Sequence, residues 1–279
     1  MENIIKLSDF RCRDPFILTD FKNHKYYFYY SKMRDIICLE STDLTNWENP
    51  KKVFENNGEY NLNWAPEFHY YRGSYYWLAT LRSGNEHKGC YIFRADKPYG
   101  LYKKHSQRIT PPQWSCLDGT LYVDDNGNPY MVFCHEYIDF ADRNGEMRVV
   151  KLKSDLTAVD GESILLFKAK DNAFSTDGIT DGPFIYRAEN GDLVMLWSKY
   201  KDSIYAVLTA RSKNGIMGPW IQDEKPLFSD NGGHAMVFSD LNGNKKITFH
   251  VPNSPNECER AVIFDFSDHN GELSISSSD

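Results

Sequence analysis

Five positions along the chain place a titratable side chain at the start of an apolar, aromatic-rich run. They read RDPF, APEF, LDGT, TDGP and GGHA, and they contribute Asp14, Glu67, Asp118, Asp181 and His234. A carboxylate beside a buried strand costs free energy unless something pairs with it or uses it. Acids at strand starts can cap turns, but carboxylates brought together raise one another's pKa, which suits acid–base catalysis. Turn caps and an active site are therefore the two hypotheses.

The runs that follow these positions have the pattern of β-hairpins. Each joins a short apolar run to an aromatic or β-branched run through a turn rich in Gly, Asn or Asp, as in TDGPFIYRAENGDLVMLWSK. A third strand and a polar closing segment usually follow, and the five units each occupy roughly 50 to 63 residues. Four short antiparallel strands repeated at this interval are typical of a propeller blade. We predict an all-β, five-bladed β-propeller forming one domain, residues 1–279; a β-sandwich gives no reason for five in-register hairpins.

Propeller geometry would bring the five positions together. The first strand of each blade lines the central channel, and all five run the same way, so their starts share one face of the disc. The second strands return to that face and end at Tyr30, Thr80, Glu136, Ser198 and His250. Glu136 follows the buried run MVFCH, so we expect it at the rim of the same funnel, unless it is only a solvated strand end.

Composition limits the partners. The net charge is −7 and no basic stripe stands out, which argues against nucleic acid. Six scattered cysteines form no CxxC pair, which argues against zinc. We find no signal-peptide pattern and no apolar segment that approaches the length of a membrane span. Together with free thiols, this predicts a cytoplasmic protein with no membrane partner.

Four motifs, in order and at blade spacing, resemble those of glycoside hydrolase family 43 along essentially the whole chain. They are RDPF, WAPEFHYYRGSYYWL, LDGTLYVDDNGNPYMVF and GGHAMVF. The resemblance implies a five-bladed propeller that hydrolyses arabinosides, xylosides and related glycosides with inversion. It implies that Asp14 is the general base and that Asp118 tunes the pKa of the acid and orients it. His234 would lie on the axis near an ion or water.

The fourth blade departs from the family pattern. The family normally offers Glu as the general acid there, whereas this chain has Asp181 in ITDGPFIYR. Asp is shorter by one methylene, and reach matters for a positioned proton donor. Either Asp181 is the acid, or Glu136 takes that role while Asp181 holds a sugar hydroxyl. The longer reach of Glu136 slightly favours it. A third interpretation is a propeller that binds glycans without catalysis.

The predicted function is an inverting glycosidase acting on short arabinosides, xylosides or galactose-type glycosides. A phosphorylase would need a cationic phosphate pocket, and the strand starts offer only Arg11 and Arg13. No cofactor is required, and a structural calcium or sodium ion at His234 stands against water as the alternative. The sugar, the linkage, exo or endo action and the oligomeric state are left open. The candidate substrate contacts are the aromatic platforms Tyr30, Trp64 and Trp114, together with Glu67 and Arg260.

Overall fold

The computed structural model describes residues 4–277, and over these residues the chain forms five four-stranded antiparallel sheets arranged as a five-bladed β-propeller. This confirms the predicted fold class; the predicted domain ends at residues 1 and 279 lie outside the described residues. Each blade is one contiguous segment. The strands of the five blades are β1 (Phe16–Asp20), β2 (Lys25–Lys32), β3 (Asp35–Ser41) and β4 (Glu48–Phe54); β5 (Leu62–Tyr71), β6 (Ser74–Arg82), β7 (Gly89–Ala95) and β8 (Lys103–Lys104); β9 (Cys116–Val123), β10 (Pro129–His135), β11 (Glu146–Lys151) and β12 (Ile164–Lys168); β13 (Asp181–Arg187), β14 (Leu193–Lys201), β15 (Ile204–Ser212) and β16 (Ile221–Gln222); β17 (Gly233–Ser239), β18 (Lys245–Val251), β19 (Arg260–His269) and β20 (Glu272–Ser277).

The turns between first and second strands lie on the face opposite the strand starts, and we call them the far-face turns. In blade 3, Asp124 accepts hydrogen bonds from the backbone N–H groups of Asn126 (3.0 Å) and Asn128 (2.8 Å). In blade 5, Asp240 is bonded in the same way to the two asparagines of its own turn. An Asp that caps its own turn fixes the hairpin register. The NGN sequences therefore form the hairpin turns that the sequence pattern predicts.

The apolar core lies between neighbouring blades. Its four clusters join blades 1 and 2, blades 2 and 3, blades 3 and 4, and blades 4 and 5. Aromatic side chains supply much of this packing; Tyr29 of blade 1 stacks on Phe68 of blade 2 with ring centroids 3.6 Å apart. Since a blade buries its faces only against its neighbours, the blades depend on one another for stability.

Blade 5 meets blade 1 to complete the ring. The Thr19 hydroxyl donates to the Ser239 carbonyl at 2.6 Å, and the backbone N–H of Cys12 donates to the Glu259 carbonyl at 3.0 Å. The Arg11 guanidinium is bidentate to the Glu259 carboxylate at 2.9 and 3.0 Å. These contacts fix the segment that leads into β1.

The helices are 3₁₀ segments of three residues, Leu7–Asp9, Tyr137–Asp139 and Ala169–Asp171. None of the helices in the described part of the chain has the length and apolarity to cross a membrane. The six cysteines are free, and all but Cys258 are buried.

Candidate active site

The backbone at the start of each inner strand turns into the left-handed region. In blades 2 to 5 this happens at a break in the register with the second strand, and in blade 1 it happens just before β1 begins. A bulge of this kind redirects a side chain, and non-glycine residues held at positive φ concentrate at functional sites. We call these five the bulge residues: Asp14 (φ 50°), Ala65 (45°), Asp118 (54°), Gly182 (52°) and His234 (59°).

Two of the five predicted side chains are not bulge residues. Glu67 comes two residues after Ala65, lies in β5 opposite Leu78 and hydrogen-bonds His69 at 3.0 Å. It is buried and does not line the cavity described below. Asp181 comes one residue before Gly182. The sequence predicted five titratable residues at structurally equivalent positions. The structure has only three there, because in blades 2 and 4 the acidic residue lies one or two positions away from the bulge residue.

The offset at Asp181 depends on Gly182. A Cβ at Gly182 would lie 2.8 Å from the Cγ and Nδ1 atoms of His234, which is too close for any side chain. The positive φ of this residue also favours glycine. Its N–H donates to the Asp118 carboxylate at 2.9 Å. The glycine therefore lets His234 and Asp118 approach the chain next to Asp181.

Polar side chains from the preceding blade hold three of the bulge residues. The side chains that accept these hydrogen bonds lie on second strands, at or near the strand ends predicted to return to the funnel face. The backbone N–H groups of Asp118, His234 and Asp14 donate to Thr80 Oγ1 (2.8 Å), Ser198 Oγ (2.9 Å) and His250 Nδ1 (3.2 Å), respectively. Neighbouring blades thus position one another's functional groups.

The axial side chains form one contiguous cluster. His234 Nδ1 lies 3.3 Å from Asp14 Oδ1 and 3.8 Å from Asp118 Oδ2. The Tyr205 hydroxyl donates to Asp181 Oδ2 at 3.1 Å. Three carboxylates and one imidazole therefore share the propeller axis.

The base candidate Asp14 lies in a positive environment. Burial raises its pKa, but the charges of His234 and Arg13 outweigh burial and leave the pKa below its ordinary value. Burial alone would lower the pKa of His234, yet Asp14 and Asp118 raise it. His250 differs: burial lowers its pKa to about 4, and its Nε2 pairs with the Asn253 side-chain oxygen at 3.0 Å. Asp14 is therefore ionised at neutral pH beside a neutral His250.

The two other axial carboxyl groups behave oppositely. Burial raises the pKa of Asp118 to about 6, with Asp14 adding to the shift. Burial, followed by the charge of Asp118, raises the pKa of Asp181 to about 8, against the hydrogen bond from Tyr205, which lowers it. The two shifts run in opposite directions and favour a proton on Asp181 and an ionised Asp14 at neutral pH. Groups whose surroundings push their pKa values apart have the pattern expected for an acid and a base.

These groups open into a cavity of about 890 Å³ on the funnel face. That volume is at the upper end for small-ligand pockets and has room for a short oligosaccharide. The lining comes from all five blades and their connecting segments. Besides the axial groups it includes Arg11, Arg13, Arg34, Asn63, Trp64, Arg82, Lys88, Glu136, Tyr137, Tyr200 and Tyr205.

Glu136 reaches this cavity, as predicted, but both of its oxygens are occupied. The Lys88 ammonium lies 2.7 Å from one of them, and the Ser115 hydroxyl donates to the other. Lys88 also lies 4.5 Å from the centre of the Trp64 ring. Glu136 and Asp181 therefore share the cavity in different settings: one carboxylate is in an ion pair and the other sits among like charges.

Of the predicted aromatic platforms, only Trp64 lines the cavity, with 48% of its surface exposed. Tyr30 packs on Phe10 with ring centroids 4.5 Å apart, and Trp114 stacks on His135 at 4.2 Å. Both rings are therefore engaged in packing. A strand pattern shows on which face a side chain lies but does not show which connecting segments cover it.

Arg260 also lies outside the cavity lining. Its guanidinium donates to the carbonyl of Ser8 at 3.0 Å and to the carbonyls of Glu257 and Glu259. The side chain ties the N-terminal segment to blade 5. Its position at the start of β19 was the basis for predicting a sugar contact, but the side chain points towards the N-terminal segment.

Several lining or supporting residues were missed by sequence reasoning. Tyr200 and Tyr205 flank the turn between β14 and β15 on the funnel face, which the hairpin pattern could have indicated. Asn253 had no such signal: it lies in the segment after β18, accepts from Arg13 at 2.7 Å and donates to the Tyr200 hydroxyl at 2.8 Å. Such contacts join distant segments and appear only in the folded chain.

The residues around His234 do not form a complete donor set for a metal ion. Its Nδ1 faces two carboxylates at ion-pair distances. Within residues 4–277 no group of three or more His, Cys, Asp or Glu side chains is arranged to hold a metal. The axial ion stays a prediction, and no chemical step below depends on it.

An axial carboxylate cluster in a five-bladed propeller defines a class of candidate carbohydrate-active enzymes. Residues 7–265 match the model of Glycosyl hydrolases family 43, and the chain belongs to this family. The predicted family is confirmed. No curated protein matches the chain.

Solved structures of similar proteins have the same fold. An endo-arabinase from Bacteroides thetaiotaomicron VPI-5482 is 38% identical, with 97% of this chain and 100% of that chain covered and a TM-score of 0.89. An endo-1,4-beta-xylanase from the same organism is 24% identical, with 99% and 97% covered and a TM-score of 0.80. An exo-1,5-alpha-L-arabinanase from a bovine ruminal metagenomic library is 18% identical, with 95% and 97% covered and a TM-score of 0.71. The last two are likenesses of fold alone.

Proposed function

We propose that the protein is an inverting glycoside hydrolase that cleaves short pentose-containing oligosaccharides with Asp14 as base and Asp181 as acid. The observation that carries the proposal is that these two carboxyl groups share one axis in opposite surroundings: Asp14 lies 3.3 Å from His234, which lowers its pKa, whereas burial and the charge of Asp118 raise the pKa of Asp181. An inverting glycosidase needs one ionised and one protonated carboxyl group on opposite sides of the scissile bond. Family membership supports glycoside hydrolysis as the reaction.

Asp14 would deprotonate the attacking water. Its carboxylate stays charged because His234 and Arg13 stabilise it. Its direction is set by the left-handed backbone and by the hydrogen bond from its own N–H to His250. A base that is held rigidly and already ionised takes a proton without reorganisation.

Asp181 would protonate the leaving oxygen, in preference to Glu136. Asp181 carries a proton at neutral pH, whereas Glu136 would first have to leave its ion pair with Lys88. Asp118 would keep Asp181 protonated, since its charge raises the pKa of Asp181, and it binds the N–H of the adjacent Gly182. This proposal reverses the slight preference that reach alone gave to Glu136.

The pair of acid candidates can be separated by leaving-group dependence. Asp181→Asn and Glu136→Gln should be compared on nitrophenyl glycosides and on natural oligosaccharides. Nitrophenol leaves with little protonation, so loss of the true acid should be about 10²-fold or more on the natural substrate and much smaller on the nitrophenyl glycoside. We expect this split for Asp181→Asn. Finding it instead for Glu136→Gln would reverse the assignment.

The substrate is proposed to be an arabinoside, with xylosides and galactose-type glycosides as the other members of the panel to be tested. The 38% identity to a protein described as an endo-arabinase supports arabinosides. Turnover of nitrophenyl arabinofuranoside, xyloside and galactoside, followed by the corresponding oligosaccharides, identifies the sugar. Glycan binding without product release would instead indicate a non-catalytic carbohydrate-binding propeller. Turnover that requires phosphate would indicate a phosphorylase.

The remaining predictions concern the partner, the cellular location and the cofactor requirement. A small oligosaccharide partner follows from the proposed reaction. The cytoplasmic location and the absence of a cofactor requirement stay predictions. Cell fractionation, and turnover after chelator treatment and dialysis, would test them.

A further inference from the structure

The cavity contains more positive charge than its catalytic groups require. Five cations line it: Arg11, Arg13, Arg34, Arg82 and Lys88. The chain as a whole has a net charge of −7, so this concentration is not a general property of its surface. Surplus charge of one sign in a cleft attracts ligands of the other sign.

Three of these cations are neutralised locally. Arg11 pairs with Glu257 at 3.0 Å and with Glu259 at 2.9 Å, and Arg13 faces Glu259 at 3.5 Å. Lys88 is paired with Glu136. These three cations hold carboxylates of the site itself, so little of their positive charge is available to a ligand.

Arg34 and Arg82 differ. Within residues 4–277 neither has a carboxylate within ion-pair distance, and the only polar contact of the Arg82 side chain is from its Nε to the Asn61 side-chain oxygen, at 3.2 Å. The outer nitrogens of both guanidinium groups are therefore free in the described part of the chain. A guanidinium presents its N–H groups as a fork that fits the two oxygens of a carboxylate.

The backbone holds the two arginines on neighbouring segments. Arg34 lies in the turn between β2 and β3 of blade 1, and Arg82 ends β6 of blade 2. Asn63 donates from its side chain to the Arg34 carbonyl at 3.1 Å, and Asn61 donates from its backbone to the Arg82 carbonyl at 2.9 Å. Asn61 precedes β5 and Asn63 is its second residue, so one short stretch of chain holds the backbone of both arginines beside the cavity that they line.

We propose that Arg34 and Arg82 form a subsite for an anionic substituent, the carboxylate of a uronic acid residue on the oligosaccharide. This inference rests on the proposed glycosidase function and narrows its substrate class. The half-exposed Trp64 lines the same cavity, and its ring face suits an adjoining neutral sugar. The arginines would select the charged chain by binding it, while the axial groups cleave it.

The test measures binding separately from turnover. Trisaccharides of arabinose and of xylose are titrated calorimetrically in three forms: neutral, carrying one uronic acid, and carrying the methyl ester of that uronic acid. An Asp14→Asn background prevents hydrolysis during the titration. We expect the acid to bind about tenfold or more tightly than its methyl ester on at least one backbone, and this ratio to fall with added salt. Equal affinity of acid and ester would overturn the inference.

Variants assign the effect to the two arginines. In the Arg34→Gln/Arg82→Gln variant the ratio of acid to ester affinity should fall to about one. Arg72→Gln is the control for each single variant, Arg34→Gln and Arg82→Gln: it removes one positive charge at a far-face turn, where Arg72 donates only to carbonyls, and should leave the ratio unchanged. A ratio that survives the double substitution would contradict the proposal.

Two further outcomes separate this inference from the proposed function. If neutral trisaccharides are hydrolysed but the acid shows no advantage, the subsite is wrong and the glycosidase stands. If the acid binds through the arginines and nothing is hydrolysed, the subsite stands and the glycosidase fails. A sulfate ester of the same trisaccharide is the last probe. If only the sulfate ester binds more tightly through the arginines, the subsite binds sulfate and the uronate assignment is wrong.

Discussion

Two sets of aspartates lie on opposite faces of the propeller, and their pKa values are shifted in opposite directions. At the far-face turns, Asp124 and Asp240 accept hydrogen bonds from the side-chain amides of Asn128 and Asn244 and from backbone N–H groups, which outweigh burial and leave their pKa values below normal. On the axis, burial and neighbouring carboxylates raise the pKa values of Asp118 and Asp181. The side chain is the same, and the difference is what surrounds it. Capping aspartates stabilise a turn as anions, whereas in the proposed mechanism Asp181 donates a proton and Asp118 keeps it protonated.

The largest expected difference between the two faces is in turnover, and it is tested at Asp14, the axial aspartate whose pKa is lowered and which is the proposed base. Asp14→Asn should lower kcat about 10³-fold or more, because the attacking water loses its base. Asp124→Asn makes the same change at a far-face turn and should leave kcat within twofold. Steady-state kinetics with circular dichroism to verify folding provides the measurement. Near-wild-type turnover in Asp14→Asn would remove this residue from the mechanism.

A matched pair of glycines sharpens the comparison through the backbone. In Gly182→Ala the new methyl would meet the His234 ring at 2.8 Å, whereas in Gly243→Ala, at a far-face turn, it would meet nothing within 4 Å. Both residues have positive φ, so both substitutions cost about 1 kcal/mol or more in backbone strain.

Only Gly182→Ala should add a steric cost of about 1–3 kcal/mol and a loss of turnover of at least tenfold. Thermal unfolding and kcat measured on the two variants test this. Equal effects would mean that the approach of His234 to Gly182 has no role in positioning the site.

The pH profile tests the proton on Asp181. Activity requires Asp181 to be protonated, so kcat should fall as pH rises through about 8. Tyr205→Phe removes the hydrogen bond that favours ionised Asp181 and should move this limb to higher pH. Asp118→Asn removes the negative charge that disfavours ionisation and should move it to lower pH. Shifts in one direction for both variants, or no shift, would exclude Asp181 as the titrating acid.

The smallest effect is expected for a turn cap. Asp124→Ala loses two backbone hydrogen bonds and those from the side-chain amide of Asn128, and it should destabilise the protein by about 1 kcal/mol, or about 2–4 °C in Tm, with kcat unchanged. Because the pKa of Asp124 is lowered on folding, its contribution is present above pH 4 and is lost as the pH falls through the folded value. The difference in Tm between wild type and variant should therefore shrink on acidification. A constant difference would assign the effect to packing.

Particular residues show how far the sequence leads. Asp14, Asp118 and His234 were placed at equivalent strand starts, and all three are bulge residues. Glu67 and Asp181 were assigned to the same ring by their acidity, but the equivalent positions hold Ala65 and Gly182. Hairpin patterns have a period of two residues, and a bulge adds one residue that the pattern does not show.

The sequence by itself determined the five hairpins, the antiparallel blades, the family and the convergence of carboxylates on one face, because these follow from local periodicity, turn residues and repeated motifs. Tertiary structure decided which carboxylate holds a proton and which is paired. Asp181 is surrounded by carboxylates and Tyr205, Glu136 is held by Lys88, and Arg34 and Arg82 are left without a partner carboxylate among the described residues. Burial and charge separation are properties of distances between blades, and those distances exist only once the ring has formed.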